Sequence, residues 1–205
     1  MADVKITDLT SASTPLAGTE LFETVQGGTS KKVAASDIGN SADALPYASL
    51  TGRAYLSAIS TTDQTGNTGA ATAVKIESTS FSSGISIANN GSGDPTRITF
   101  AAAGTYMVAP SVQLKNTDST DHNVNFWFRK NGTDIANSNT VITVPKAASG
   151  GNTFFQIVFY EQVTAGDYIE LMWLPTNTLA TIDYIGAGAI APAAPSVILA
   201  TERIA

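Results

Sequence analysis

The sequence predicts an all-β protein, and three observations carry that prediction. Charged residues make up only 14% of the 205 residues, against about a quarter in ordinary soluble domains. The polar share comes instead from Thr, Ser, Asn and Gly, which favour strands and turns over helices. From residue 54 onward, short apolar runs recur at close spacing between turn signals, and no stretch there shows a helical period. About ten short strands so spaced favour a sandwich or barrel over alternating βα units. Apolar residues reach 43%, enough for a core and too many for wholesale disorder.

Three zones follow one another. In residues 1–40, Glu20-Leu21-Phe22-Glu23-Thr24-Val25-Gln26 and Lys31-Lys32-Val33 flank Gly27-Gly28. Glycine supplies the positive φ of tight primed turns, so this zone reads as a β-hairpin arm. A lone hairpin cannot bury a core. The arm therefore needs a partner, either sister chains or a larger surface. Residues 41–53 are rich in Ala and Ser, contain Pro46 and show no period, which reads as a linker. The third zone, 54–205, carries runs at 55–60, 73–81, 84–88, 96–100, 105–114, 123–129, 140–144, 154–163, 168–174, 180–185 and 196–204. Asn90-Gly91, Gly93-Asp94-Pro95, Ala103-Gly104, Asn131-Gly132, Gly150-Gly151-Asn152 and Ala165-Gly166-Asp167 supply the turns. Pro110 and Pro175 belong at strand ends or bulges, because proline cannot donate to a ladder.

Some runs are apolar on both faces. Alternation points Phe155, Ile157 and Phe159 one way and Phe154, Val158 and Tyr160 the other. Ile169, Leu171 and Trp173 oppose Tyr168, Met172 and Leu174, while Val124, Phe126 and Phe128 oppose Trp127. A half-solvated strand would show a polar second face, and so much exposed aromatic surface exceeds what monomers carry. Either the linker folds over that face, or Trp127, Phe154, Val158, Tyr160, Tyr168, Met172 and Leu174 form a subunit interface, the reading preferred here.

The formal charge is −6, and 11 basic residues are scattered without a cluster. That disfavours nucleic acid and anionic membranes as partners. There is no cysteine, hence no disulfide framework, thiolate metal site or thiol nucleophile. The N-terminus lacks the apolar core of a secretory signal. The stretch 185–200 is interrupted by Gly186, Gly188, Pro192 and Pro195 and does not read as a membrane span. A chain made and kept soluble in the cytoplasm is expected.

Catalytic patterns are thin, and no enzymatic activity, cofactor or metal is expected. His122, the only histidine, sits beside Asp121 in a polar loop without a Gly-x-Ser-x-Gly elbow. Asp118 with Asp121, and Asp167 with Glu170, are generic carboxylate pairs for glycoside hydrolysis. Asp94, Asp118, Asp121 and Asp134 lie in loops without calcium-loop spacing. Gly91-Ser92-Gly93-Asp94 lacks the Lys and helix of a phosphate-binding loop. Lys31-Lys32 reads as a charged edge that blocks stray strand pairing.

The combination Ile6-Thr7-Asp8-Leu9, Gly18-Thr19-Glu20-Leu21-Phe22-Glu23-Thr24-Val25-Gln26-Gly27-Gly28, Lys31-Lys32-Val33 and Ser36-Asp37-Ile38 resembles a short N-terminal module of tailed-bacteriophage virion proteins. It covers about 35 residues, roughly one strand pair with its flanks. The segments Phe126-Trp127-Phe128-Arg129-Lys130-Asn131-Gly132-Thr133-Asp134, Ala165-Gly166-Asp167-Tyr168-Ile169-Glu170-Leu171 and Pro195-Ser196-Val197-Ile198-Leu199 are similar to phage structural proteins with a C1q/TNF-like jelly roll.

This likeness implies an antiparallel jelly-roll sandwich that trimerises about a three-fold axis. It also implies attachment to the virion through Ile6, Leu9, Leu21, Phe22, Val25, Gly27, Gly28 and Val33. The function expected is a homotrimeric capsid decoration (cement) protein whose arm grips the major capsid protein and stabilises the shell. The alternative is a tail fibre or receptor-binding tip, docked on tail proteins, whose loops around 89–95, 131–139 and 176–178 recognise host glycans or proteins.

Overall fold

The computed structural model describes residues 53–205, together with the backbone of Leu21–Gln26 and Thr29–Ala34. The chain divides into two compact units, Met1–Gly52 and Arg53–Ala205. In the first, β1 (Leu21–Gln26) pairs antiparallel with β2 (Thr29–Ala34), in register from Leu21↔Ala34 to Gln26↔Thr29.

The second unit is built almost wholly of strands. They are β3 (Tyr55–Ser60), β4 (Gln64–Thr65), β5 (Thr72–Ala73), β6 (Ser78–Ser83), β7 (Ile85–Asn89), β8 (Pro95–Phe100), β9 (Gly104–Asn116) and β10 (His122–Lys130). There follow β11 (Thr133–Asp134), β12 (Thr140–Val144), β13 (Asn152–Gln156), β14 (Phe159–Val163), β15 (Tyr168–Pro175), β16 (Ala180–Ile182) and β17 (Val197–Arg203). One sheet runs β12, β10, β15, β8, β7, with β11 and β5 as short additions on β10 and β15. The other runs from β13 and β14 through β9, β17 and β3 to β6, with β16 pairing the far end of β9 and β4 pairing β16.

The pairing order identifies the architecture. β3 pairs with the last strand, β17, which pairs with β9, which pairs with β13 and β14. In the facing sheet β8 pairs with β15, β15 with β10, and β10 with β12. This nesting of early strands on late ones, wholly antiparallel, is a jelly roll. The expected fold class is observed.

Alternation decides what fills the space between the sheets. Tyr106, Val108, Val112 and Leu114 of β9 turn inward, as do Val124, Phe126 and Phe128 of β10 and Ile169, Leu171 and Trp173 of β15. Phe126 stacks on Phe155, and Phe128 on Phe159, each with ring centroids 4.4 Å apart. Each stack joins one sheet to the other, and such pairs contribute about 0.5–1.5 kcal/mol beyond the burial of their area.

Two runs expected as single strands are divided, each for a physical reason. The run 73–81 crosses between sheets, since β5 pairs with β15 and β6 with β3. The chain then crosses back at Gly84, where φ is +66° and an added Cβ would lie 3.0 Å from the Ala54 Cβ. The run 154–163 is interrupted between β13 and β14, opposite Pro110. The Ile157 N–H reaches the Pro110 carbonyl at 3.4 Å. In an extended strand a residue's N and C=O point to the same side, so the side facing β13 and β14 is where Pro110 has no N–H to offer. Proline therefore sits inside β9, and the partner strand carries the break. Pro175 closes β15. The run 180–185 shortens to β16, and Ile185 instead bridges Ala194. Among the described residues no helix is long and apolar enough to cross a membrane.

Candidate interaction surfaces

The outward face of the β9 sheet is the most unusual surface of the unit. Pairing registers place its residues in rows. Tyr160, Met107, Glu202 and Tyr55 form one row, and Ala109, Ala200, Ser57 and Phe81 the next. Gln156, Ser111, Ile198 and Ile59 form a third, with Phe154 beside Gln113 beyond. Phe154 is 60% exposed, Phe81 61% and Tyr160 55%, and Val158 and Ile198 are also exposed. Tyr55 and Phe81 meet edge to face at 6.0 Å. Glu202 is the only charged residue in these rows. Aromatic side chains rim a centre of Ala and Ser, so a flat partner can approach the middle closely. Monomers rarely leave a contiguous patch of this kind uncovered.

The seven residues expected to make one seam do not share a face. Because Phe126 and Phe128 point inward against Phe155 and Phe159, Trp127 points outward on the opposite side of the sandwich from Phe154, Val158 and Tyr160. Leu174 pairs beside Asn125 on Trp127's side. Tyr168 is half-buried there, with the Arg97 guanidinium 4.2 Å above its ring. Met172 is 2% exposed, so it is buried within its own subunit and not offered to a neighbour. Tyr55, Phe81 and Ile198 were missed, because only the cross-strand register brings them beside Tyr160 and Phe154.

Of the residues expected to hold the virion, Ile6, Leu9, Gly27 and Gly28 lie outside the described residues. Leu21, Phe22 and Val25 fall in β1 and Val33 in β2.

The groups considered for catalysis are engaged in holding loops. His122 bonds Asp118, not the adjacent Asp121: Nε2 lies 2.7 Å from Oδ2. Thr120 Oγ1 lies 3.4 Å from that same nitrogen. A triad needs the acid on one ring nitrogen and the hydroxyl on the other, so this cluster lacks the geometry. The His122 bond, followed by the Ser119 N–H, holds the Asp118 carboxyl below its ordinary value of 3.8. Asp121 instead accepts the Lys146 N–H at 2.8 Å. Asp167 accepts the Thr164 N–H at 2.8 Å and the Asn131 amide at 2.7 Å, and both bonds lower its pKa. Its proposed partner Glu170 is buried and accepts the Thr96 hydroxyl at 2.5 Å, with Arg97 Nε 3.9 Å away. Glu170 lines a polar cleft of about 680 Å³ between residues 62–77 and strands β8 and β15, together with Arg97, Arg129, Lys75 and Asp94. Asp94 is paired with Lys75 at 2.7 Å. Among the described residues no three acidic or histidine side chains converge as metal ligands would.

No family model matches the sequence, and no curated protein matches it. Solved structures do: crystal structures of murine APRIL at pH 8.5, pH 5.0 and pH 8.0 superpose with a TM-score of 0.46 at 10% identity. Each covers 74% of this chain and 99% of the APRIL chain. The fold rests on the strand order itself: the unit Arg53–Ala205 is an antiparallel jelly-roll sandwich.

Proposed function

We propose that the chain is a non-enzymatic, homotrimeric capsid decoration protein, synthesised in the host cytoplasm and carried on the virion of a tailed phage. The observation that carries its assembly is the charge-poor outward face of the β9 sheet, with Phe154, Val158 and Tyr160 exposed on one border and Tyr55 and Phe81 on the other. Large side chains of this kind gain about 1.5–3 kcal/mol each on burial, so a neighbouring subunit is a favourable cover. The resemblance of residues 6–38 to phage attachment modules supports docking on the major capsid protein. Three weak arms on one rigid knob bind with avidity set by their effective concentration, which suits a clamp on a pressurised shell.

Two measurements test this reading. Sedimentation should give a trimer for the full chain, and Phe154→Asp or Tyr160→Asp should reduce it to monomer or aggregate, because an unpaired charge in an apolar seam is costly. A trimer that persists in both variants would remove the interface. On purified particles, quantitative mass spectrometry should count far more copies than any tail component, retained on heads freed of tails. A variant lacking residues 1–40 should stay trimeric yet fail to join the particle. Its normal incorporation would remove the arm as anchor.

A further inference from the structure

On the side of the sandwich away from Phe154, a shallow pocket of about 390 Å³ is lined by Trp127, Leu174, Ile135, Asn125, Asn137, Asn139 and Asp134. Its size falls within the roughly 300–1,000 Å³ usual for small-molecule sites. Three features fix its chemistry. The Trp127 indole is locked in place, because its Nε1–H donates to Asp134 Oδ1 at 2.8 Å. Asp134 Oδ1 also accepts Arg129 Nε–H at 2.7 Å, and these bonds, that of Arg129 first, hold the carboxyl ionised below its ordinary value. Asp134 Oδ2 accepts no bond from the described residues, and the side chain is 54% exposed. Finally, Asn139 Nδ2–H donates to Asn125 Oδ1 at 3.1 Å, which leaves the Asn125 amide N–H and the Asn139 amide oxygen turned to other partners. Asn137, held at φ +63°, adds a further amide to the rim.

This set discriminates between ligand classes. A purely apolar ligand would strand the amides without partners, at a cost. An anion would set its own acceptors against the lone pairs of the unpartnered Asp134 Oδ2. A cation would find that carboxylate already neutralised by Arg129. A neutral ligand with one apolar face and a ring of hydroxyls suits all of it: hydroxyls donate and accept, as amides do, and the apolar face lies on the indole. We propose that this pocket binds an uncharged pyranose, stacked on Trp127, with its hydroxyls bonded to Asp134, Asn125 and Asn139. The site goes beyond the decoration role and stands whether or not the subunits associate.

The chain has two tryptophans, and Trp173, buried in the core, also lines the larger polar cleft, so an emission change that disappears in Trp127→Phe reports on Trp127. The full-length protein would be titrated with the methyl glycosides of glucose, galactose, mannose and N-acetylglucosamine, followed by tryptophan emission and saturation-transfer NMR. At least one should bind with a Kd on the order of 1 mM. Trp127→Phe should weaken that binding while keeping a ring in place. Asn139→Ala, at an exposed loop position, should weaken it about tenfold by removing one hydrogen bond and leaves the fold out of question. The proposal is overturned if none of the four glycosides binds, if binding survives both substitutions unchanged, or if only the anionic sugar N-acetylneuraminic acid binds.

Discussion

His122 shows how a single side chain is read differently in sequence and in space. Its neighbour Asp121 is the obvious partner along the chain, yet Asp118 takes the ring nitrogen at 2.7 Å and Asp121 turns to the Lys146 N–H. Asp118, Asp134 and Asp167 share a pattern: each accepts several hydrogen bonds inside a turn or hairpin, and each carboxyl lies below its ordinary value of 3.8. A depressed folded pKa contributes stability that is fully present above the unfolded value and is lost as pH falls through the folded one. Acidification below 3.8 should therefore lower the urea midpoint of unfolding. Replacing all three by Asn should make that decline shallower, since amides do not titrate. An unchanged slope would mean that these turns do not couple folding to protons. Asp134 is exposed and Asp118 and Asp167 are half-buried, so each contribution is screened by solvent and modest.

At the scale of strands, turn chemistry made most elements legible. Asn131-Gly132 adopts φ of +50° and +83°, the positive values that its turn demands, and the run 140–144 coincides with β12. What stayed hidden was sheet membership. The run 73–81 has one apolar pattern but serves two sheets, and β5 is two residues long, too short to have a period. Met172 was misplaced because alternation gives the face a side chain points to and not how far that face is covered by its own subunit. Register between distant strands is equally invisible locally, so Phe81 and Tyr160 could not be placed on one face from the sequence alone. The inward partners were clearer: the double alternation of 154–160 survives the break opposite Pro110, with Phe155 buried and Phe154 and Tyr160 exposed. Phe155→Ala should cost about 3–5 kcal/mol in chemical denaturation, by opening a cavity where the two sheets stack. A loss under about 1 kcal/mol would show that the stack is dispensable. Gly84→Val should destabilise by about 1–3 kcal/mol, since a β-branched residue is strained at positive φ and its Cβ would press on Ala54. Wild-type stability in that variant would show that the corner between sheets tolerates a side chain.

For the whole molecule, the decisive contrast is between the two outer faces of the sandwich. One carries Trp127 with amides, Asp134 and Arg129, whose polar groups already hold one another in place. The other carries Phe154, Tyr160, Phe81 and Tyr55 around Ala109, Ala200 and Ser57, with only Glu202 charged in its rows. A closed ring of identical subunits joins two different patches on each copy, so one broad face can serve if a second edge of the same subunit rests on it. Ala200 is the sharpest probe of that arrangement. It lies between Ala109 and Ser57 in the central row and is exposed in the subunit. A longer polar side chain there meets only solvent in an isolated copy, but in an assembly it would be desolvated without a partner. Ala200→Glu should therefore yield a monomer by sedimentation whose near-ultraviolet circular dichroism matches that of the wild type. The thermal midpoint of the wild type should rise with protein concentration, as linkage requires of an associating fold, and that of the variant should not. An intact trimer in Ala200→Glu, or a wild-type midpoint independent of concentration, would place the contact elsewhere and leave the exposed aromatic rim without a cover among copies of this chain.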